Sequence, residues 1–225
     1  MMEKYIQPTP TMDFTHPAVS GFVEKYAGKN DSPVSLAVSL YYAVRDGIRY
    51  DPYSIDLTVN GLRASTTLLN GRGWCVAKAI LLAACLRSLK IPAQLGFADV
   101  RNHLSTKRMR EQMKTDVFYW HGYTSICVND QWVKATPAFN IELCKKFSLK
   151  PLEFDATADS IYHPFDLAGN RHMEYVNERG EFADVPLDAI IKTFREKYPA
   201  DDSTWLNADF DRDVEMETRQ TRPEH

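Results

Sequence analysis

Residues 68–100 read LLNGRGWCVAKAILLAACLRSLKIPAQLGFADV, and the organisation of the chain can be worked out from this stretch in both directions. Gly71 and Gly73 give the segment before Cys75 a backbone freedom that other residues lack, so Ser65 to Cys75 reads as a loop. After the cysteine the pattern changes. Val76, Ala79, Ile80, Leu82, Ala83, Leu86 and Leu89 recur at helical spacing, and Leu81, Ala84 and Cys85 widen that stripe until almost no polar face remains before Arg87. A helix apolar nearly all round belongs in the middle of a domain. Lys90-Ile91-Pro92 ends it, because the residue before a proline avoids the helical region, and Ala93 to Val100 resumes as a strand with Leu95 and Phe97 on one face.

Upstream, Asp31-Ser32-Pro33 supplies a capping side chain and a proline for a first helical turn, and Val34, Ala37, Val38, Tyr41 and Val44 continue at helical spacing as far as Asp46-Gly47. Residues 1–30 read as an arm with one amphipathic run from Val19 to Tyr26. Downstream, the polar run from Arg101 to Thr115 is expected to form a solvated helix or a lid-like loop beside a cleft. Gly122 to Val128 and Gln131 to Thr136 then read as two strands joined at Asn129-Asp130, residue types that suit a tight hairpin turn. Leu187, Ile190, Ile191 and Phe194 mark a helix over 186–198, Glu174-Tyr175 reads as solvated surface, and the charged residues from Asp209 onward are expected to fray.

A chain of 225 residues can bury a sizeable core as one domain without covalent staples. Its net charge of -3 supplies no cationic field for a phosphate backbone, so neither nucleic acid nor an anionic membrane is an expected partner. The N-terminal residues lack the basic and apolar regions of a secretory signal, and no stretch is apolar enough to span a bilayer. Four scattered cysteines, Cys75, Cys85, Cys127 and Cys144, form neither a disulfide scaffold nor a C-x-x-C pair, which fits a reducing cytoplasm. His103, His163 and His172 have no ligand at metal spacing and read as loop histidines, so no metal and no cofactor is expected.

The chemistry concentrates on two residues. A thiol attacks as its thiolate, and the partial positive charge at a helix N-terminus favours that anion, so Cys75 occupies a nucleophile's position with backbone N–H groups beside it for an oxyanion. A cysteine opening an apolar helix is as often merely packed. His121, in Trp120-His121-Gly122-Tyr123, stands where the hairpin begins, and Gly122 permits close approach by another segment. A lone histidine is more often structural than a base, and it is the pair that points to nucleophilic catalysis. Trp74, Trp120 and Tyr123 flank the two and are candidates to line a substrate pocket, or core. Cys85 and Cys127 read as packed residues, and so does Cys144.

Three blocks, SLYYAVRDGIRYDPYS at 39–54, the 68–100 stretch and WHGYTSICVNDQWVKATPAFN at 120–140, together resemble the transglutaminase-like cysteine enzymes, a group that in animals includes tissue transglutaminase and peptide N-glycanase. The resemblance spans Ser35 to Asn140. It implies an α+β, papain-like core over residues 32–140, with the nucleophile helix packed on a small antiparallel sheet and residues 141–225 as a C-terminal extension of one domain. It further implies that Cys75 attacks an acyl carbonyl of a peptide, protein or small amide, that His121 moves the proton, and that a thioester is resolved by water or an amine. The related arylamine acetyltransferases use the same Cys and His for acetyl transfer. Such enzymes place an orienting aspartate on the second hairpin strand, whereas this chain has Thr136 there, in Trp132-Val133-Lys134-Ala135-Thr136-Pro137. Thr136 itself, Asn140 or Asp166 is then expected to orient the imidazole, unless catalysis has been lost and a binding module remains.

Overall fold

The computed structural model describes residues 2–28, 31–102, 105–162, 165–169, 171–199 and 208–220. The N-terminal arm carries a short turn at Glu3–Tyr5 and helix α1 (Pro17–Tyr26), followed by α2 (Pro33–Gly47). Ser32 caps α2 by accepting from the Ser35 N–H, with proline in the first turn as the sequence suggests. Strand β1 (Arg49–Tyr50) pairs in parallel with β2 (Arg72–Gly73), and between them lies α3 (Ala64–Asn70). Residues 65–70 are therefore helical rather than a loop. The glycine signal holds one residue later: Gly71 takes φ 63 and ends α3 in the left-handed conformation that other residues resist.

Helix α4 (Cys75–Ser88) is the centre of the molecule, buried from Cys75 through Arg87. It packs on one face of a four-stranded antiparallel sheet, ordered β5-β4-β3-β6, built from β3 (Ala93–Asn102), β4 (Val117–Val128), β5 (Gln131–Ala135) and β6 (Met173–Phe182). This is the α+β architecture that the resemblance implies. Thr124 on β4 donates its hydroxyl to the Ala79 carbonyl at 3.0 Å, which fixes helix to sheet. The β4–β5 hairpin turns at Asn129 (φ 50) and Asp130 (φ 60), two consecutive left-handed residues as a type I′ turn requires.

Two cations lie inside α4's apolar surroundings, and both are satisfied by carbonyl groups. Lys78 donates to the Arg45 and Ile48 carbonyls at the end of α2, while burial pushes its amine down to about 7. Arg87 donates to the carbonyls of Ala93, Gln7 and Ala183, tying the N-terminal arm and the segment after β6 to the helix end. Helix α5 (Lys107–Met113) falls within the polar run read as helix or lid, and α6 (Ile141–Lys146) and α7 (Leu187–Lys197) follow. The tail does not fray at Asp209: α8 (Phe210–Gln220) forms there with Asp213 and Val214 buried. Strand β6 includes Glu174 and Tyr175, so that pair is sheet and not solvated surface.

Candidate active site

Cys75 is the first residue of α4, and Trp74 before it makes no side-chain cap bond, which leaves the first-turn N–H groups available. The N–H groups of Gly122, Val76 and Cys75 itself all act on the thiol to favour its anion. That the strand comes so near depends on Gly122 having no side chain. A Cβ there would stand 3.0 Å from the Val76 Cα and 3.1 Å from its Cγ2. The Cα of His121 lies only about 2.4 Å along the chain from the Gly122 nitrogen. Local backbone geometry thus brings the Cys75 thiol and the His121–Gly122 peptide together.

The electrostatics run against the expected thiolate. Cys75 is 6% exposed, and burial outweighs the three N–H groups and pushes the thiol up to about 11. His121 is 4% exposed, and burial, followed by the nearby His172, pushes its imidazole down to about 4. At rest Cys75 is a protonated thiol and His121 a neutral imidazole, because desolvation of an ion exceeds what one helix terminus returns. A neutral imidazole is free to accept a proton.

The His121 ring lies 5.7 Å from the Tyr162 ring, which is 4.7 Å from Phe139, itself 4.8 Å from Tyr50. Tyr50 closes the circuit, since burial and then the charge of Cys75 hold its hydroxyl well above the ordinary range. His172 belongs to this aromatic wall, 5.6 Å from Tyr162 and buried. It sits in the connection just before β6, as a loop histidine would, but is buried. His103 and His163 fall outside the described residues, among which no cluster of three or more His, Cys, Asp or Glu could hold a metal.

Of the three candidates for the orienting group, Thr136 alone has its side-chain oxygen buried without a hydrogen-bond partner among the described residues, as has His121 Nε2. Its backbone is pinned, the N–H donating to the Ser160 carbonyl at 3.0 Å and the carbonyl accepting from the Tyr41 hydroxyl at 3.3 Å. Asn140 is committed elsewhere: its Oδ1 accepts from the Tyr50 N–H at 3.1 Å and its Nδ2 donates to Glu142 at 2.9 Å. Asp166 accepts from the Ala168 N–H within its own turn.

The flanking aromatics separate. Trp74 packs its ring 6.1 Å from Phe194 of α7, next to Cys75. Trp120 forms a bulge with φ 61, its N–H donating to Asp99 and its indole to Thr193 at 2.9 Å, with Arg179 over the ring. Gly122 and Thr124 face α4, so Tyr123 between them faces the other way and covers Gly96. Trp120 and Tyr123 are therefore packing residues. Tyr162 escapes the sequence reading, and His172 and Tyr175 read there as loop and surface, because all three lie beyond the hairpin in a segment with no recognisable period.

A central helix that begins at a cysteine, packed on an antiparallel sheet whose strand carries a histidine, defines the class of papain-like cysteine enzymes. The family model of the transglutaminase-like superfamily matches residues 20–137, more than half of the 225 residues. The chain belongs to that superfamily. No curated protein matches the sequence. A solved structure of a candidate cysteine protease from Cytophaga hutchinsonii is similar at 16% identity and a TM-score of 0.47, over 61% of this chain and 42% of that one. A candidate protease from Parabacteroides distasonis is similar at 13% identity and a TM-score of 0.39, over 60% of this chain and 25% of that one. The chain thus spans less than half the length of either.

Proposed function

We propose that the protein is a cysteine-dependent acyl-transfer enzyme that hydrolyses an amide or peptide bond, with residues 141–225 extending the same domain. The observation that supports this reading best is the approach of the Gly122 N–H to the Cys75 sulfur, one peptide unit from His121. The thiol proton passes to His121 as sulfur adds to the carbonyl carbon, and first-turn N–H groups stand beside the oxyanion that forms. His121 returns the proton to the departing amine, leaving a thioester on Cys75. Water then adds with His121 again taking a proton, the carbon–sulfur bond breaks, and the thiol is restored. With a primary amine in place of water the same thioester gives transfer. A peptide, a protein or a small amide would serve as substrate.

The burial of Cys75 and the missing carboxylate favour a second reading, a binding module that keeps the fold without turnover. Iodoacetamide labelling mapped by mass spectrometry separates the two. On the enzyme reading Cys75 is labelled ahead of the buried Cys85 and Cys144, and His121→Ala slows it by roughly tenfold or more while leaving half-buried Cys127 unaffected. Equal, slow labelling of Cys75, Cys85 and Cys144, indifferent to His121, leaves the binding module.

A further inference from the structure

Among the described residues, His121 Nε2, Thr136 Oγ1 and Tyr175 Oη are all buried polar atoms without a hydrogen-bond partner. Such atoms cost stability unless something holds them, so their gathering in one place asks for a reason. The sheet register gathers them. His121 pairs with Ala98 of β3, and Val100, two residues along, pairs with Tyr175 of β6. Residues two apart on a strand share a face, so Tyr175 and His121 lie on the same face of the sheet. Thr136 joins them, since it follows Ala135, whose partner Thr124 points at α4. Thr136 follows β5, three strand spacings from β6 or roughly 14 Å across a flat sheet, yet its side chain acts on the Tyr175 hydroxyl, so the two approach each other over this face. Burial raises the Tyr175 hydroxyl, and the groups opposing that rise include the Tyr162 N–H and the Thr136 side chain, both acting on its oxygen.

We propose that Tyr175 is a positioning residue for the reaction above: its oxygen accepts from the Thr136 hydroxyl, whose own oxygen accepts from His121 Nε2–H. Two neutral hydroxyls then do the orienting that a carboxylate would do, and hold the imidazole in the tautomer whose Nδ1 lone pair is turned to Cys75. A neutral relay fixes direction but does little to stabilise an imidazolium, which agrees with a resting pair that carries no charge. Tyr175 lies on β6, outside the residues that match the family.

The inference rests on the Cys75–His121 reading, and the test keeps the two apart. Cys75 alkylation rates are measured in the wild type, Tyr175→Phe, Thr136→Asp and the double variant, alongside nitrogen chemical shifts of His121 by NMR. Tyr175→Phe should slow alkylation roughly fivefold, the factor carried by one hydrogen bond of ordinary net strength. In the Thr136→Asp background the same change should cost nothing, because a carboxylate holds Nε2–H unaided. A wild-type rate in Tyr175→Phe, or an equal loss in both backgrounds, overturns the relay. Should Thr136→Asp not fold, the NMR signature decides: Nε2–H alone in the wild type and a tautomer mixture in Tyr175→Phe support the relay, and unchanged shifts overturn it. Alkylation indifferent to His121→Ala would instead overturn the catalytic pair, with the tautomer still reporting on Tyr175.

Discussion

Cys75 and His121 each sit where burial opposes charge, and burial prevails at both. For His121 the consequence reaches stability as well as chemistry. Its folded pKa of about 4 lies below the ordinary 6.5, so between those values the unfolded chain binds a proton that the folded protein does not. Stability from this group is complete above about pH 6.5 and is lost as pH falls toward 4, a swing on the order of 3 kcal/mol. Urea titrations across that window should give a steep pH dependence that flattens in His121→Asn. An unchanged slope would show that the imidazole is charged in the folded protein, contrary to the neutral pair.

At the scale of elements, the packing of α4 on β4 is set by one missing side chain. Gly122→Ala would drive a Cβ to 3.0 Å from the Val76 backbone, which cannot retreat without moving the start of α4. A loss of about 1–3 kcal/mol is expected in urea unfolding. Gly47→Ala is the control: nothing lies within 4 Å of its Cβ, and a helix-end glycine replaced by alanine should gain about 0.5–1 kcal/mol. Both the helix and its approach to the strand were legible in sequence, since Cys75 to Leu89 has an unbroken apolar pattern and Gly122 follows His121 directly. What stayed hidden depends on distant partners. Ser65 to Asn70 carries hydroxyls and asparagine that suit turns, yet Ser65 is held to Asp13, 52 residues away, through both its N–H and its hydroxyl. Likewise the Tyr175 hydroxyl is buried only because β6 pairs with β3 across more than 70 residues of chain. The missing carboxylate was visible at once as Thr136, but its neighbour on β6 was not.

Across the whole molecule, α8 is attached mainly through charge. Asp211 pairs with Arg49, Asp213 with Arg108 at 2.6 Å, Glu215 with Lys146 at 3.1 Å and Glu217 with Arg110 at 3.7 Å, while Phe210 and Val214 supply its buried apolar side chains. Phe210 meets Tyr53 and Tyr50 edge-on at 5.3 and 5.9 Å, so this helix covers the aromatic wall that reaches toward Cys75. Exposed ion pairs are weak individually and are screened by salt. Hydrogen exchange over α8 should therefore accelerate when sodium chloride rises from about 0.05 to 0.5 M, with α4 unchanged. Exchange indifferent to salt would mean that Phe210 and Val214 hold the helix alone.

The position of β6 has a practical outcome for anyone dissecting the chain. A fragment trimmed to residues 20–137 would strip β3 of one neighbour and lay open a row of unbonded amides along ten residues. Bare edges of that kind recruit other strands, so such a fragment should clump in solution where the longer protein stays dispersed.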